Sequence, residues 1–213
     1  MAKRERKAAE PGGEVRKRLL SGATALFASK GYAATTVREI VERAGVTKPV
    51  LYYYFHSKEG IYLDLMREPF GRFSAEVEET LHAAGSARDR LFGLCLMAYD
   101  IVVENIDATR VMYSIYYGPP QGAPFIDFDA YHRRFQEAVL QVLQEGIRGG
   151  EFRRVDPRDA MWAVIGALNV AMEVELCQPP QGIGRDGLRR VLEVVLEGIA
   201  KDRKDTGEKG KKR

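Results

Sequence analysis

Along this chain, apolar residues recur at spacings of three and four, and no segment alternates apolar and polar for long enough to suggest a strand. The first periodic stretch begins at Glu14 and carries Val15, Leu19, Ala23, Leu26 and Phe27, with Gly31 as its natural stop. Thr36 and Glu39 form a Thr-x-x-Glu capping box that opens a second, short helix lined by Ile40, Val41 and Ala44 and ended by Gly45. Thr47 can cap a third helix, with Pro49 in its first turn and Leu51 and Phe55 on one face. Ser57 opens a fourth, which Glu68-Pro69 is expected to kink or break.

The remaining pattern predicts a helix from the Ser86–Asp89 cap to about Asn105 and a short one over Thr109–Tyr117. Three more follow: one over residues 126–148, one from Asp156-Pro157 to about Leu176, and a last from about Asp186 to Ala200. Proline- and glycine-rich loops at 118–124 and 178–182 separate them. About nine helices make this an all-α chain. The expected organisation is an arm over 1–13, a helix-turn-helix domain over 14–56, a larger helical domain over 57–200 and a polar tail over 201–213. Arm and tail are both expected to be flexible.

Thr36 to Phe55 has the layout of a helix-turn-helix: a capped short helix, a glycine turn and a second short helix. Gly45 can take the positive φ that reverses the chain tightly. If Leu51 and Phe55 fill the inside of the second helix, at least two of Tyr52, Tyr53 and Tyr54 must point elsewhere. Thr47, Lys48, Pro49, Tyr52 and Tyr53 then remain outward. A hydroxyl, a cation, an apolar ring and two amphipathic rings suit a major groove and its phosphate rim. Lys58 adds charge beside a further helix N-terminus.

Three stretches together resemble the N-terminal domain of TetR-family regulators: Phe27-Ala28-Ser29-Lys30-Gly31-Tyr32, then Thr36 to Gly45, then Leu51-Tyr52-Tyr53-Tyr54-Phe55-His56-Ser57-Lys58-Glu59. The likeness spans residues 14–66, and weaker echoes occur at Gly146–Phe152 and Gly166–Asn169. The resemblance implies that Thr36 anchors the motif to phosphate with Arg38 beside it, and that Thr47, Lys48, Pro49, Tyr52 and Tyr53 face the groove. Tyr54, His56 and Lys58 would sit at the rim. Many members of the family carry a small residue where Pro49 stands, so one amide that could reach DNA is missing here.

Charge is uneven. Residues 1–60 hold 12 Lys/Arg against 6 Asp/Glu, residues 61–200 hold 14 against 21, and residues 201–213 hold 7 against 3. A basic front on an acidic body fits a polyanion-binding domain joined to something else. The arm either keeps the chain soluble or touches the minor groove. Cys95 and Cys177 lie far apart in apolar settings, so metal is not expected. No nucleophile-elbow, Walker, zinc or dinucleotide motif occurs, and His56, His82 and His132 have no partner spacing, so neither catalysis nor a cofactor is expected. No apolar run is taken to reach a membrane span, no secretory signal follows the basic start, and a cytoplasmic location is the default.

Residues 86–176 are dense in aromatic and flexible side chains. Phe92, Tyr99, Tyr113, Tyr117, Trp162, Ile165 and Asn169 are the expected lining of an effector pocket between the fifth and eighth helices, otherwise ordinary core. Arg110 is the only Lys or Arg between 91 and 132, while Asp100, Glu104 and Glu173 could receive a cation, so a neutral or cationic, largely apolar effector is favoured. Ala163, Gly166, Ala167 and Ala171, with the stripe Leu188, Val191, Leu192, Val195 and Ile199, suggest a homodimer joined as a four-helix bundle, or else faces buried within one subunit. The reading is a repressor released from a palindromic operator by a small effector. The alternative is a DNA-binding architectural or interaction protein of the same fold without a ligand.

Overall fold

Capping residues set several of the helix starts. In the computed structural model, which describes residues 11–199, Thr36, Ser57, Ser86, Asp127 and Asp156 each accept a backbone N–H from the first turn that follows. The helices are α1 (Pro11–Lys30), α2 (Val37–Ala44), α3 (Lys48–Phe55), α4 (Lys58–Leu81), α5 (Ala87–Glu104), α6 (Ile106–Tyr116), α7 (Phe128–Arg148), α8 (Pro157–Cys177) and α9 (Gly184–Ile199). One 3₁₀ turn covers Pro179–Gln181. Residues 1–10 of the expected arm and the expected tail lie outside the described residues. Helix α1 starts at Pro11, three residues before its first expected position.

Of the kink or break expected at Pro69, the break does not occur: the helix runs from Lys58 to Leu81 with the proline inside it. What the ring removes is one i→i−4 bond, a loss that packing on both sides of the position can offset. The chain divides at this point into two compact units. The first comprises α1–α3 and α4 as far as Pro69, together with Asn105–Ile126, which carries α6. The second comprises the rest of α4 with α5 and α7–α9.

In the first unit α1 packs on both α2 and α6, and Leu19, Phe27, Ile40, Leu51, Ile61 and Tyr62 are wholly buried. In the second, α5 is the central helix: Leu94 to Tyr99 is buried without interruption, because α7, α8 and α9 cover it on all sides. Burial pushes the Cys95 thiol there up to about 12, so it serves as a small core residue. Phe70 and Phe73 of α4 stack on Phe128, Tyr131 and Phe135 of α7 with centroids 4.4–6.5 Å apart.

Helix α8 corrects the reading of the apolar runs. Its 21 residues are long and apolar enough by composition to cross a membrane. In the structure its apolar residues divide between two faces. Met161, Val164, Ile165, Leu168 and Met172 enter the core, and Trp162, Ala163, Gly166 and Val170 stay outside.

Candidate nucleic-acid interface

The helix-turn-helix is built by local hydrogen bonds that the sequence encodes. Thr36 is extended at φ −106°, ψ 153°, and the capping box is complete: Glu39 N donates to Thr36 Oγ1 at 3.3 Å and Thr36 N donates to Glu39 Oε2 at 2.9 Å. The Lys30 ammonium, 2.5 Å from Glu39 Oε1, is the first cause and Thr36 the second that hold the Glu39 carboxyl down at about 2. Gly45 closes α2 at φ 63°, ψ 42°, with its N–H directed to Glu42 O and Val41 O. Thr47 occupies the N-cap of α3, but its side chain makes no capping bond, unlike the expectation, so its hydroxyl is not spent on the helix.

Helix α3 buries Leu51 and Phe55 and turns Lys48, Pro49, Tyr52 and Tyr53 outward; Tyr53 is 77% exposed. Tyr54 is half-buried, edge-on to Tyr53 at 5.0 Å. On α2, Arg38 also points outward, paired with Glu42 one turn on at 2.6 Å. The exposed His56 ends α3 at φ 63°, the only non-glycine in the left-handed region among the described residues. Lys58 differs from its expected role. Its ammonium donates to Tyr32 O and Thr35 O, both at 3.0 Å, and lies 4.2 Å from the Tyr32 ring centroid. At most one of its three N–H groups remains for phosphate.

The expected effector lining is divided between the two units, and within the second it is spread over buried and exposed positions. Tyr113 and Tyr117 belong to the first unit. In the second, Phe92, Tyr99 and Ile165 are buried, whereas Trp162 and Asn169 are exposed. The Tyr99 hydroxyl donates to Glu175 at 2.6 Å, and burial followed by that carboxylate moves its pKa well above the usual tyrosine range. Glu175 also accepts from Gly184 N at 3.0 Å, which ties α5, α8 and the start of α9 together. Two clefts each hold one expected residue. One, of about 390 Å³, contains Phe92 with Leu96, Met97, Arg72, Arg185 and Arg189; the other, of about 320 Å³, contains Trp162 with Leu140, Met161, Arg133 and Arg158.

Those arginines correct the charge argument, because they come from α4, α7, α8 and α9, outside the 91–132 window. Asp100 is taken by Arg185 at 2.9 Å and Glu104 by Arg72, while Glu173 is exposed on α8. Two of the three carboxylates proposed for a cationic effector are therefore already paired with arginines. The stripe on α9 also divides: Leu188, Leu192, Leu196 and Ile199 are buried and Val195 leans on the same core, whereas Val191 and Val194 face outward. With Trp162, Ala163, Gly166 and Val170 of α8 they expose small and apolar side chains at helical spacing.

Comparison with known proteins agrees with this architecture. The family model described as bacterial regulatory proteins, tetR family, matches residues 19–65. A second, described as Tetracyclin repressor-like, C-terminal domain, matches residues 84–173. The chain is 31% identical to the HTH-type transcriptional repressor KstR2 of Mycolicibacterium smegmatis over 139 residues, 65% of this chain and 67% of that protein. It is 31% identical to the fatty acid metabolism regulator protein of Bacillus subtilis over 197 residues, 85% of this chain and 93% of that one. Among solved structures, the ketosteroid transcriptional regulator KstR2 of Mycobacterium tuberculosis superposes with a TM-score of 0.71 at 25% identity, covering 88% of this chain and 95% of its own. PfmR of Thermus thermophilus gives 0.68 at 26%, covering 86% and 100%.

Proposed function

This chain belongs to the TetR family, as a DNA-binding transcriptional regulator and not an enzyme, and from that premise we propose that it is a cytoplasmic homodimeric repressor which leaves a palindromic operator when a small, largely apolar effector binds. The observation that carries the DNA half is α3, a short helix after a glycine turn with Lys48, Pro49, Tyr52 and Tyr53 outward over a buried Leu51 and Phe55. Two copies would present these helices about one DNA turn, roughly 34 Å, apart. The dimer reading draws on Trp162, Ala163, Gly166, Val170, Val191 and Val194, an exposed apolar surface in need of a cover.

The effector reading draws support from two relatives: one is named a fatty acid metabolism regulator and another a ketosteroid regulator. Of the two clefts, the one at Phe92 has the better claim. Its 390 Å³ falls in the range of small-molecule sites, and its wall joins Phe92, Leu96 and Met97 to Arg72, Arg185 and Arg189 and to the carboxylates Glu76, Asp89 and Asp100, with Arg72 paired to Glu76 and Arg185 to Asp100. An apolar ligand body would lie on Phe92, Leu96 and Met97. The ligand-free alternative has one observation in its favour: Phe92, Tyr99 and Ile165 are packed into the core.

Selection of duplexes from a random-sequence pool, followed by light scattering of the protein alone and on the recovered duplex, tests the reading. A palindrome bound by an even number of chains is expected; a direct repeat or a stable monomer overturns the dimer arrangement. Thermal-shift titration with fatty acids, sterol acids and their thioesters, read in parallel with DNA release, separates the ligand-bound from the ligand-free version. Binding without release would leave no differential affinity to drive a switch.

A further inference from the structure

The loop after α6 reaches the helix-turn-helix through one side chain. Gln121 follows Tyr32 by 89 positions, yet its carboxamide oxygen accepts a hydrogen bond from Tyr32 N at 2.8 Å. Its amide nitrogen donates to Ser114 O, in the last turns of α6, at 3.0 Å. Both ends of the carboxamide are therefore engaged, one on α6 and one on the turn between α1 and α2.

The turn needs that acceptor. Helix α1 ends with Gly31 at φ 87° and Gly31 N bonded to Phe27 O at 3.0 Å, a left-handed cap that leaves the next amide, Tyr32 N, without an acceptor from the helix itself. Tyr32 is 2% exposed, its ring packed on Phe27 and Tyr62 at 5.2 and 5.4 Å, so an unmet N–H there would be costly. Gly31 also makes room, since a Cβ added to it would stand 2.9 Å from the Gln121 oxygen. The other side of the turn is held by Lys58, which takes the carbonyls of Tyr32 and Thr35, and by Thr35 Oγ1, which donates to Gly31 O at 2.8 Å. The residue after Thr35 is the N-cap of α2.

We propose that Gln121 is a positioning residue for DNA binding: its carboxamide fixes the turn from which α2 leaves α1, and with it the direction of α3. The proposal rests on the reading of α3 as the DNA-contacting helix. It gives the α6 segment, which is continuous in sequence with α5 on one side and α7 on the other, a hydrogen-bonded hold on the DNA-binding unit. The side chain is half-buried and belongs to no part of the outward face of α3, so its effect on DNA would be indirect.

The test compares Gln121→Met and Gln121→Glu with the full wild-type chain. The probe is a duplex recovered from a random pool by the wild type, and amide exchange of residues 31–36 is followed without DNA. Methionine keeps the volume and removes both polar ends, while glutamate keeps the acceptor for Tyr32 N. Gln121→Met should bind about tenfold more weakly per subunit, the loss expected for one buried amide left unmet. The Tyr32 amide should exchange faster, with helix content unchanged. Gln121→Glu should restore the protection of the Tyr32 amide and part of the affinity, since its second oxygen cannot donate to Ser114 O. Wild-type affinity in Gln121→Met overturns the proposal, as does a Gln121→Glu variant that falls as far as the methionine. A wild type that recovers no duplex defeats the DNA-binding reading and the positioning role together. Slow Tyr32 exchange in that protein would identify the failure as one of DNA binding and not of the hydrogen bond.

Discussion

Helices α3 and α8 both leave large apolar side chains in solvent, but with different chemistry. On α3 the exposed residues are tyrosines beside a lysine and a proline, with Tyr53 at 77% and Tyr52 at 47%. Each ring carries a hydroxyl that can reach a phosphate or a base edge, and the helix is only 8 residues long. On α8 the exposed residues are Trp162, Ala163, Gly166 and Val170 along a 21-residue helix. Small side chains there permit another helix to approach, and the polar groups on that face, Arg158, Asn169, Glu173 and the indole N–H, are few and widely spaced along the helix. Exposure alone does not distinguish the two surfaces. The chemistry at the tips of the side chains and the length of the helix do, one suiting a charged groove and the other a second protein face.

The largest expected effect would break the α8 half of this comparison. A Cβ added at Gly166 meets nothing within 4 Å, and Val194 is 71% exposed, so Gly166→Leu with Val194→Arg should leave each subunit folded. The same changes would put bulk and an unpaired charge into the proposed dimer contact, where burial of a charge costs several kcal/mol, so roughly 100-fold weaker association or worse is expected. Light scattering would detect monomers. Trp162, the chain's only tryptophan and 57% exposed in one subunit, should shift its emission to longer wavelength as the dimer separates. A dimer of unchanged size in the double variant would assign the face to something other than self-association.

The next effect addresses α3. Lys48→Ala should weaken binding to a selected duplex and reduce the slope of log affinity against log salt by about one, since one phosphate contact is lost. Tyr53→Ala should cost about tenfold with the salt slope unchanged, because what it removes is uncharged contact area. Equal salt slopes for wild type and Lys48→Ala would take that lysine off the phosphates.

The same contrast separates what the sequence reveals from what it hides. Thr36, Glu39, Gly45, Leu51 and Phe55 act within about 20 residues of one another, so caps, turn and inner face follow from local spacing. The Lys58 ammonium looked outward in the sequence and turns back to Tyr32 and Thr35, carbonyls 26 and 23 positions away, which no local pattern signals. The expected effector residues sit on helices that the sequence suggests should face one another, but within the second unit Tyr99 spends its hydroxyl on Glu175 and Trp162 sits on the outer face of α8. Periodicity identifies a helix and its apolar stripe; it does not say which of two apolar stripes on a helix such as α8 is the inner one.

A smaller effect sharpens the local side. Thr36→Ala removes the cap of α2 and should cost about 1 kcal/mol of stability, read as a lower denaturant midpoint. Its partner Glu39 has a folded-state pKa held at about 2, first by Lys30 and then by Thr36. A depressed carboxylate adds stability that is full above the ordinary glutamate range and lost as pH falls from there toward 2. The difference between wild type and Glu39→Gln should therefore shrink on acidification through that window. A difference that stays constant with pH would mean that the Lys30 and Thr36 contacts favour neither form.

The smallest effect concerns the end of α3 and has the opposite sign. His56 sits at φ 63°, ψ −30°, and Ser57 N donates across it to Phe55 O at 2.7 Å, a three-residue turn that side chains with a Cβ rarely adopt. His56 N still closes the helix on Tyr52 O at 3.0 Å, so the strain is set by the chain's path into α4 and not by a missing bond. Holding a non-glycine there costs of order 1–3 kcal/mol. Glycine relieves that cost but frees the unfolded chain, which takes back up to about 1 kcal/mol. His56→Gly should thus raise stability by roughly 0.5–1 kcal/mol, a midpoint shift of a few degrees. Affinity for a selected duplex separates two reasons for keeping a strained histidine. A stabilised variant with weaker binding would mean that the ring contacts DNA at the rim of α3, as resemblance to the family implies. A stabilised variant with intact binding would leave the histidine no share in the interface, and a destabilised variant would refute the assignment of strain to this turn.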